Sequence, residues 1–484
     1  MLLGVVLSCA LCGAQPVVQS PKPYGPVPSR SQLLWQEDEL TLFVHFGMNT
    51  FTGLSTGLGT ENPDLFNPTD FDCLQWARLA KETGFKGIIL TAKHHDGFCL
   101  WQTKTTDHSV AHSAWKNGHG DVVRELEHAC REEGIKLGIY CSPWDRSQAI
   151  YETDPEAYSK LYQEQLKELL SNYGTIYEMW FDGHKANVAE WPDIIKLVRT
   201  LQPAAVIKQG PTLFPIREDV RWVGNEQSCA PLTNWSIYPA PGDTNSAPPI
   251  WFPVECDIPM IGSWFWDGKG PKSLAQLLDI YYTSVGRNSI LLLNVAPDKR
   301  GLFSVQSVGR LREFHSALEA IFGTDFARGR NAVATNVRGN EAQFGPEQAL
   351  DVNDQTYWAT DDSVTSASME VDLGSEREFN VMRTEEMISL GQRVQEYKIE
   401  AWDSSRGWRS LVVGTTIGYR KLDRFPRVKA SKVRLTILKA LACPVIRGFG
   451  VHIDEISPAE SFLAENALKE VKRKHSTLEK PVNH

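Results

Sequence analysis

Short apolar runs alternate with amphipathic stretches along the chain from Leu42 to Leu293. Five of the runs read as buried strands: Leu42-Phe43-Val44, Gly87-Ile88-Ile89-Leu90, Lys136-Leu137-Gly138-Ile139-Tyr140, Glu178-Met179-Trp180-Phe181 and Ala205-Val206-Ile207. Val220-Arg221-Trp222-Val223, Ile261-Gly262-Ser263-Trp264-Phe265-Trp266 and Ser289-Ile290-Leu291-Leu292-Leu293 complete a set of eight. Segments 71–83, 122–133, 155–172 and 274–285 carry apolar residues at helical spacing between them. Eight buried strands alternating with helices predict an α/β fold, a (β/α)8-like parallel barrel. A doubly wound open sheet is the rival, but no Gly-rich phosphate-binding turn follows the first run.

Near Arg328 the texture changes. Met369-Glu370-Val371-Asp372-Leu373, Tyr397-Lys398-Ile399-Glu400-Ala401-Trp402 and Val433-Arg434-Leu435-Thr436-Ile437 alternate with period two, and helical periodicity nearly vanishes. This predicts a separate all-β sandwich. The expected organisation is a signal-like leader over 1–14, a barrel over 15–327, a sandwich over 328–456 and a charged tail over 457–484. The leader, apolar and ending in Cys12-Gly13-Ala14, resembles a secretory signal and predicts a secreted or periplasmic protein. No later stretch has the roughly 20 continuous apolar residues that a membrane span needs.

Composition narrows the partners. A net charge of −9 argues against nucleic acid, whose phosphates require a basic face. Fifteen Trp in a mildly acidic chain fit a carbohydrate site, because aromatic faces stack on the C–H faces of sugars; two ordinary cores would absorb most of them. Seven Cys follow the leader, without C-x-x-C pairs, which is neither a disulfide framework nor a zinc site. One glycosylation sequon occurs, Asn234-Trp235-Ser236.

Candidate chemistry gathers where the runs end, the face on which parallel barrels place their active sites. The first run ends in His45-Phe46-Gly47, the second in Lys93-His94-His95-Asp96-Gly97-Phe98, and the third in Tyr140-Cys141-Ser142-Pro143-Trp144-Asp145. The fourth ends in Trp180-Phe181-Asp182-Gly183 and the sixth in Gly224-Asn225-Glu226, while the seventh carries Trp264 and Trp266. Any one of these has an ordinary explanation as a structural histidine or a helix cap. Their concentration on one face does not. A metal site is disfavoured, because adjacent histidines on an extended backbone point to opposite sides and no H-x-H or H-x-x-x-H pair occurs. Neutral imidazoles that hydrogen-bond sugar hydroxyls fit better, and no cofactor is expected. Glycoside cleavage needs two carboxyl groups across the scissile bond. Asp182 and Glu226 are the candidates, with Glu255 as the rival acid/base.

The blocks His45-Phe46-Gly47, Lys93-His94-His95-Asp96-Gly97-Phe98, Tyr140-Cys141-Ser142-Pro143-Trp144 and Trp180-Phe181-Asp182-Gly183 resemble the signatures of α-L-fucosidases, glycoside hydrolase family twenty-nine, in consistent order from about Pro28 to Phe322. The resemblance implies a retaining, exo-acting fucosidase with Asp182 as nucleophile. It implies His45, His94, His95, Tyr140 and Trp264 as the fucose pocket. Gly224-Asn225-Glu226 is similar to the acid/base segment of the branch that prefers α-1,3/1,4 linkages on Lewis-type glycans. Glu61, in Thr60-Glu61-Asn62-Pro63, is a further substrate contact by the same resemblance. Segments such as Asn331-Ala332 and Thr356-Tyr357-Trp358-Ala359 are similar to discoidin-like modules, which implies a second sugar site or a calcium ion in the sandwich, beside the plainer role of buttressing the barrel. The expected partners are fucosylated oligosaccharides or glycoconjugates. The alternatives are a fucose-binding lectin without activity and a barrel glycosidase for another sugar.

Overall fold

The computed structural model describes residues 18–183, 188–209, 219–245 and 247–456, so the leader and the tail lie outside the described residues. Eight strands close a parallel barrel. They are β1 Leu40–Val44, β2 Gly87–Lys93, β3 Lys136–Cys141, β4 Ile176–Phe181, β5 Val206–Gln209, β6 Val220–Trp222, β7 Val254–Pro259 and β8 Ser289–Asn294. Each pairs with its sequence neighbours, and β8 closes on β1. The helices Cys73–Glu82, Val122–Glu133 and Pro155–Asn172 start where Asp72, Asp121 and Asp154 accept hydrogen bonds from first-turn N–H groups. Their apolar faces cover the outward-pointing residues of the strands, such as Leu42, Val44, Ile88, Leu90 and Ile139.

The seventh strand is not where the hydrophobic pattern put it. The aromatic run 261–266 is an irregular loop after β7, and β7 itself reads Val254-Glu255-Cys256-Asp257-Ile258-Pro259. Its alternate residues are carboxylates turned into the barrel, so a search for apolar runs passes over it. The interior is layered as in other parallel barrels. Trp35, on a helix whose Ser29 and Gln32 form a capping box, plugs the base against Val206, Val220 and Ile290. Phe43, Ile89, Tyr140, Trp180 and Leu292 fill the layer above.

The second unit is antiparallel throughout, and its two long strands, β11 Ala367–Glu386 and β14 Lys421–Ala440, carry the core of the sheet. β9 Ala332–Ala334, β10 Trp358–Ala359, β12 Val394–Asp403, β13 Gly407–Gly414 and β15 Val445–His452 complete it. The short strands expected from sequence lie inside these elements. Register shifts after Asp372 and Phe379 bend β11, so one strand serves a sheet that curls around a single core of Trp358, Met369, Val371, Phe379, Leu435 and their neighbours.

The two units are joined by specific bonds at the base of the barrel. Asn288, immediately before β8, donates its backbone N–H to Arg420 O (2.9 Å) and accepts from Tyr419 N–H (2.8 Å). Gly418 passes over its side chain at φ +75°, where a Cβ would stand 2.2 Å from Asn288 Cγ. Arg420 bridges Glu39, at the foot of β1, and Glu385 of the sheet. Asn234 of the sequon is 2% exposed and gives both amide protons to Arg287 O and Asn288 O, so in the folded chain it cannot carry a glycan. All seven described cysteines are free thiols, and among the described residues no helix is long and apolar enough to cross a membrane.

Candidate active site

A cavity of about 420 Å³ opens at the C-terminal ends of the strands. His45, His94, His95, Tyr140, Asp182, Glu226 and Trp264 all line it, brought from β1, β2, β3, β4, β6 and the loop after β7. Strand parity explains the convergence. Phe43 and His45, Trp180 and Asp182, and Lys208 on β5 all take the inward side of their strands, so side chains two apart stack toward the opening.

Asp182 is gripped from one side. Tyr140 donates its hydroxyl to Asp182 Oδ2 at 2.9 Å, and His95 Nε2 lies 3.5 Å from the same oxygen. Burial and the adjacent Asp182 carboxylate push the Tyr140 phenol well up, so Tyr140 is a donor at any working pH. Ser142 Oγ donates to Trp144 O at 2.8 Å; its oxygen therefore accepts from His95 Nδ1 at 2.7 Å, which directs Nε2 at Asp182.

His45 is oriented by the same logic. Asn294 gives an amide proton to Trp264 O at 2.7 Å, so its Oδ1 accepts, and His45 Nδ1 at 2.8 Å must be the donor. Burial drives the His45 pKa down to about 3, against the opposing pull of Asn294 and Asp182, leaving a neutral ring whose Nε2 is an acceptor. His94 is also held neutral, by burial and by the two neighbouring imidazoles. Its ring stacks on Tyr140 at 5.7 Å, and its buried Nδ1 has no hydrogen-bond partner among the described residues. Trp264 lies 5.0 Å from the His45 ring and supplies the apolar wall.

Lys93, within the double-histidine block, is not in the cavity. It is fully buried and donates to Asp145 (2.9 Å), Tyr158 (3.2 Å) and Gln165 (2.8 Å), fastening the end of β2 to β3 and the helix outside. Glu61 is likewise not brought to the cavity wall. Its carboxylate accepts from the N–H groups of Leu58 and Gly59 (2.8 Å for the latter) and braces the loop whose Ser55 and Thr56 do line the cavity. Glu255 lies deeper, wholly buried beneath Trp180, whose indole donates to it at 2.8 Å. Burial pushes both Glu255 and its neighbour Glu178 up, and Glu178 Oε1 and Glu255 Oε2 have no hydrogen-bond partner among the described residues.

Sequence reasoning missed Trp180, Lys208, Trp222 and Asp257 as cavity-lining residues. Asp257 accepts from Trp222 Nε1 at 2.6 Å, and burial raises its pKa to about 7. The available signal was the alternation of charge and apolar residues in Val254-Glu255-Cys256-Asp257, which no half-exposed strand of a barrel needs. A second cavity, of about 530 Å³, lies at the opposite end between Leu40, Tyr281 and Arg420, away from every strand-end polar residue. No group of three or more His, Cys, Asp or Glu that could hold a metal ion occurs among the described residues.

A closed parallel barrel whose strand ends present paired carboxyls, neutral imidazoles and an aromatic wall defines the class of barrel glycoside hydrolases. The alpha-L-fucosidase family model matches residues 46–320, and the F5/8 type C domain model matches residues 331–446. Alpha-L-fucosidase 1 of Arabidopsis thaliana is 40% identical over 460 residues, covering 90% of this chain and 89% of that protein. Among solved structures, a Ruminococcus gnavus GH29 fucosidase in complex with fucose superposes with a TM-score of 0.82 at 31% identity, covering 91% of this chain and 98% of that one. A glycoside hydrolase 29 family member from an unknown rumen bacterium gives 0.77 at 36% identity, over 90% and 78% of the two chains. The chain belongs to the α-L-fucosidase family, with an F5/8 type C domain behind the catalytic barrel, and its substrate is a fucosylated glycan.

Proposed function

We propose that this α-L-fucosidase is exo-acting and retaining, with Asp182 as nucleophile and Glu226 as acid/base, and that it prefers α-1,3/1,4-linked fucose on branched, Lewis-type glycans. The observation that carries the reading is that Asp182 and Glu226 line one cavity from strands two apart in the wall, the first anchored by Tyr140 and the second exposed. An Asp182 oxygen attacks the anomeric carbon as the Glu226 carboxyl gives its proton to the leaving oxygen. Glu226, now a carboxylate, takes a proton from water, and that water displaces Asp182. Glu255 suits the second role poorly, because it is wholly buried, does not line the cavity and is already engaged by the Trp180 indole.

The pocket fits fucose through complementary polarity. His45 Nε2 accepts, Tyr140 donates to the carboxylate that the sugar must face, and Trp264 packs on the C5 methyl, a position where galactose would bury an unpaired hydroxyl. Because Glu226 stands at the rim, the leaving saccharide lies outside the cavity, beside the loop at 50–61 whose Ser55 and Thr56 line the opening. Export follows from the apolar leader. For the sandwich we infer a supporting role, based on the bonds from Tyr419 and Arg420 to the foot of the barrel. A sugar or calcium site in its loops is the weaker proposal, since Asp351 is already engaged by Asn353 N–H and the Thr356 hydroxyl.

The experiment compares kcat/KM on a Lewis trisaccharide, an α-1,2-fucosylated disaccharide and an aryl fucoside, with NMR of the first-formed anomer. The branched glycan should lead by at least about tenfold, and the first product should be the α-anomer. Equal rates on the aryl fucoside would remove the linkage preference; β-fucose as first product would remove Asp182 as nucleophile.

A further inference from the structure

Two buried lysines near the strand ends differ in a way that points to a ligand. Lys93 places all three ammonium donors on protein acceptors. Lys208 is equally buried, at 2% exposure, yet among the described residues its ammonium has no hydrogen bond and no carboxylate within ion-pair distance. Its one close contact is the face of Trp180, with Nζ 3.1 Å from the ring centroid. A cation–π contact recovers only part of the cost of burying an ammonium. The three N–H donors remain to be satisfied, and Lys208 lines the active-site cavity.

Its position selects the partner. Lys208 lies on β5, between the strand that ends in Asp182 and the strand that leads to Glu226. Across β4 and β5 it is in register with Trp180, two residues below Asp182, so it faces the floor of the cavity while Glu226 stands at the rim. The sugar on that floor is the one being released. Burial pulls the Lys208 pKa down, against the opposing pull of Glu255, Asp257, Asp182 and Glu178.

We propose that Lys208 is a substrate-binding residue whose ammonium donates a hydrogen bond to a hydroxyl oxygen of the bound fucose. The proposal deepens the active-site reading and rests on it only for the direction in which the sugar enters. Trp180 holds the ammonium in place before substrate arrives, so the sugar oxygen meets an oriented donor. The donor is cationic, and it reads an oxygen acceptor that an alkyl or deoxy position cannot provide.

The test measures free L-fucose binding by calorimetry in the full chain, for wild type, Lys208→Met and Lys208→Gln, together with a set of monodeoxy fucosides. Binding of free sugar needs no catalysis, so it reports on Lys208 whether or not Asp182 and Glu226 have the roles given above. Lys208→Met should weaken fucose at least about tenfold with an unchanged unfolding midpoint, and Lys208→Gln, which keeps a donor, should recover part of that. One deoxy fucoside should bind wild type weakly and Lys208→Met no worse than fucose does. On aryl and branched fucosides the Met variant should lose kcat/KM by the same factor. Fucose affinity within twofold of wild type in both variants would overturn the proposal. A loss confined to branched substrates would overturn it equally, by assigning Lys208 to the leaving sugar.

Discussion

At the base of the barrel, Glu39, Arg420, Glu385 and Arg447 form a chain of ion pairs in which every buried charge has an opposite charge within 4 Å. At the strand ends, 2% exposed Lys208 and the His94 Nδ1 have no such partner among the described residues. Both regions bury ionisable groups, so burial alone does not mark a functional site. The distinguishing feature is satisfaction. At the base, charges are neutralised by the chain itself; at the strand ends, the Lys208 ammonium has only the Trp180 face against it among the described residues.

The sharpest way to break this comparison is to act on the strand-end side. Asp182→Asn preserves shape and the bond from Tyr140 but removes the charge, and should lower kcat by about 10³–10⁵ with little change in unfolding midpoint. Azide should partly restore turnover. Activity within about tenfold of wild type would mean that Asp182 does not attack the sugar. The matching change at the base is Arg420→Met, which strands Glu39 and Glu385 together in a buried site. A loss of roughly 3–5 kcal/mol in urea unfolding is expected, with kcat of the folded fraction unchanged. A stable variant with impaired turnover would instead couple the sandwich to the active site.

The smallest effect concerns acid. Burial raises the Glu385 carboxyl, but Arg420, Arg383 and Arg447 more than offset this and bring its pKa to about 2. A carboxylate depressed in the folded state stabilises fully above its unfolded pKa of about 4.5, and that contribution is lost as pH falls through about 2. The window is worth roughly 3 kcal/mol. Arg420→Met should therefore move the acid-unfolding midpoint upward, read by tryptophan fluorescence between pH 5 and about pH 2. An unchanged midpoint would show that Arg383 and Arg447 suffice to hold Glu385.

What could be read from the chain alone depended on how local each signal was. His45, His94, Tyr140 and Asp182 were legible because each stands at or shortly after the end of an apolar run, and in a parallel barrel that position fixes both the face and the end. The helix 122–133 was legible to the residue, since its cap, its apolar stripe and its terminal Gly134 all lie within one segment. Glu61 was ambiguous because a loop acid can face inward or brace its own turn with identical spacing, and its carboxylate accepts from the N–H groups of Leu58 and Gly59. β7 was misplaced because its interior positions are polar, and Glu255 is tolerable there only beside Glu178, Trp180 and Lys208 from other strands.

The sequence by itself determined the alternation of strands and helices, the change to an all-β second unit, and which side chains stand at the strand ends. These follow from periodicity and from the chain's own direction. Only the tertiary structure decided which of those side chains are already satisfied. That depends on partners brought from strands far apart in the chain: Asn294 turning His45 into an acceptor, Ser142 directing His95 at Asp182, and no described partner reaching Lys208. A hydrogen bond to a distant residue leaves no trace in local periodicity, because either partner alone is compatible with many neighbours, and only closure of the barrel selects one.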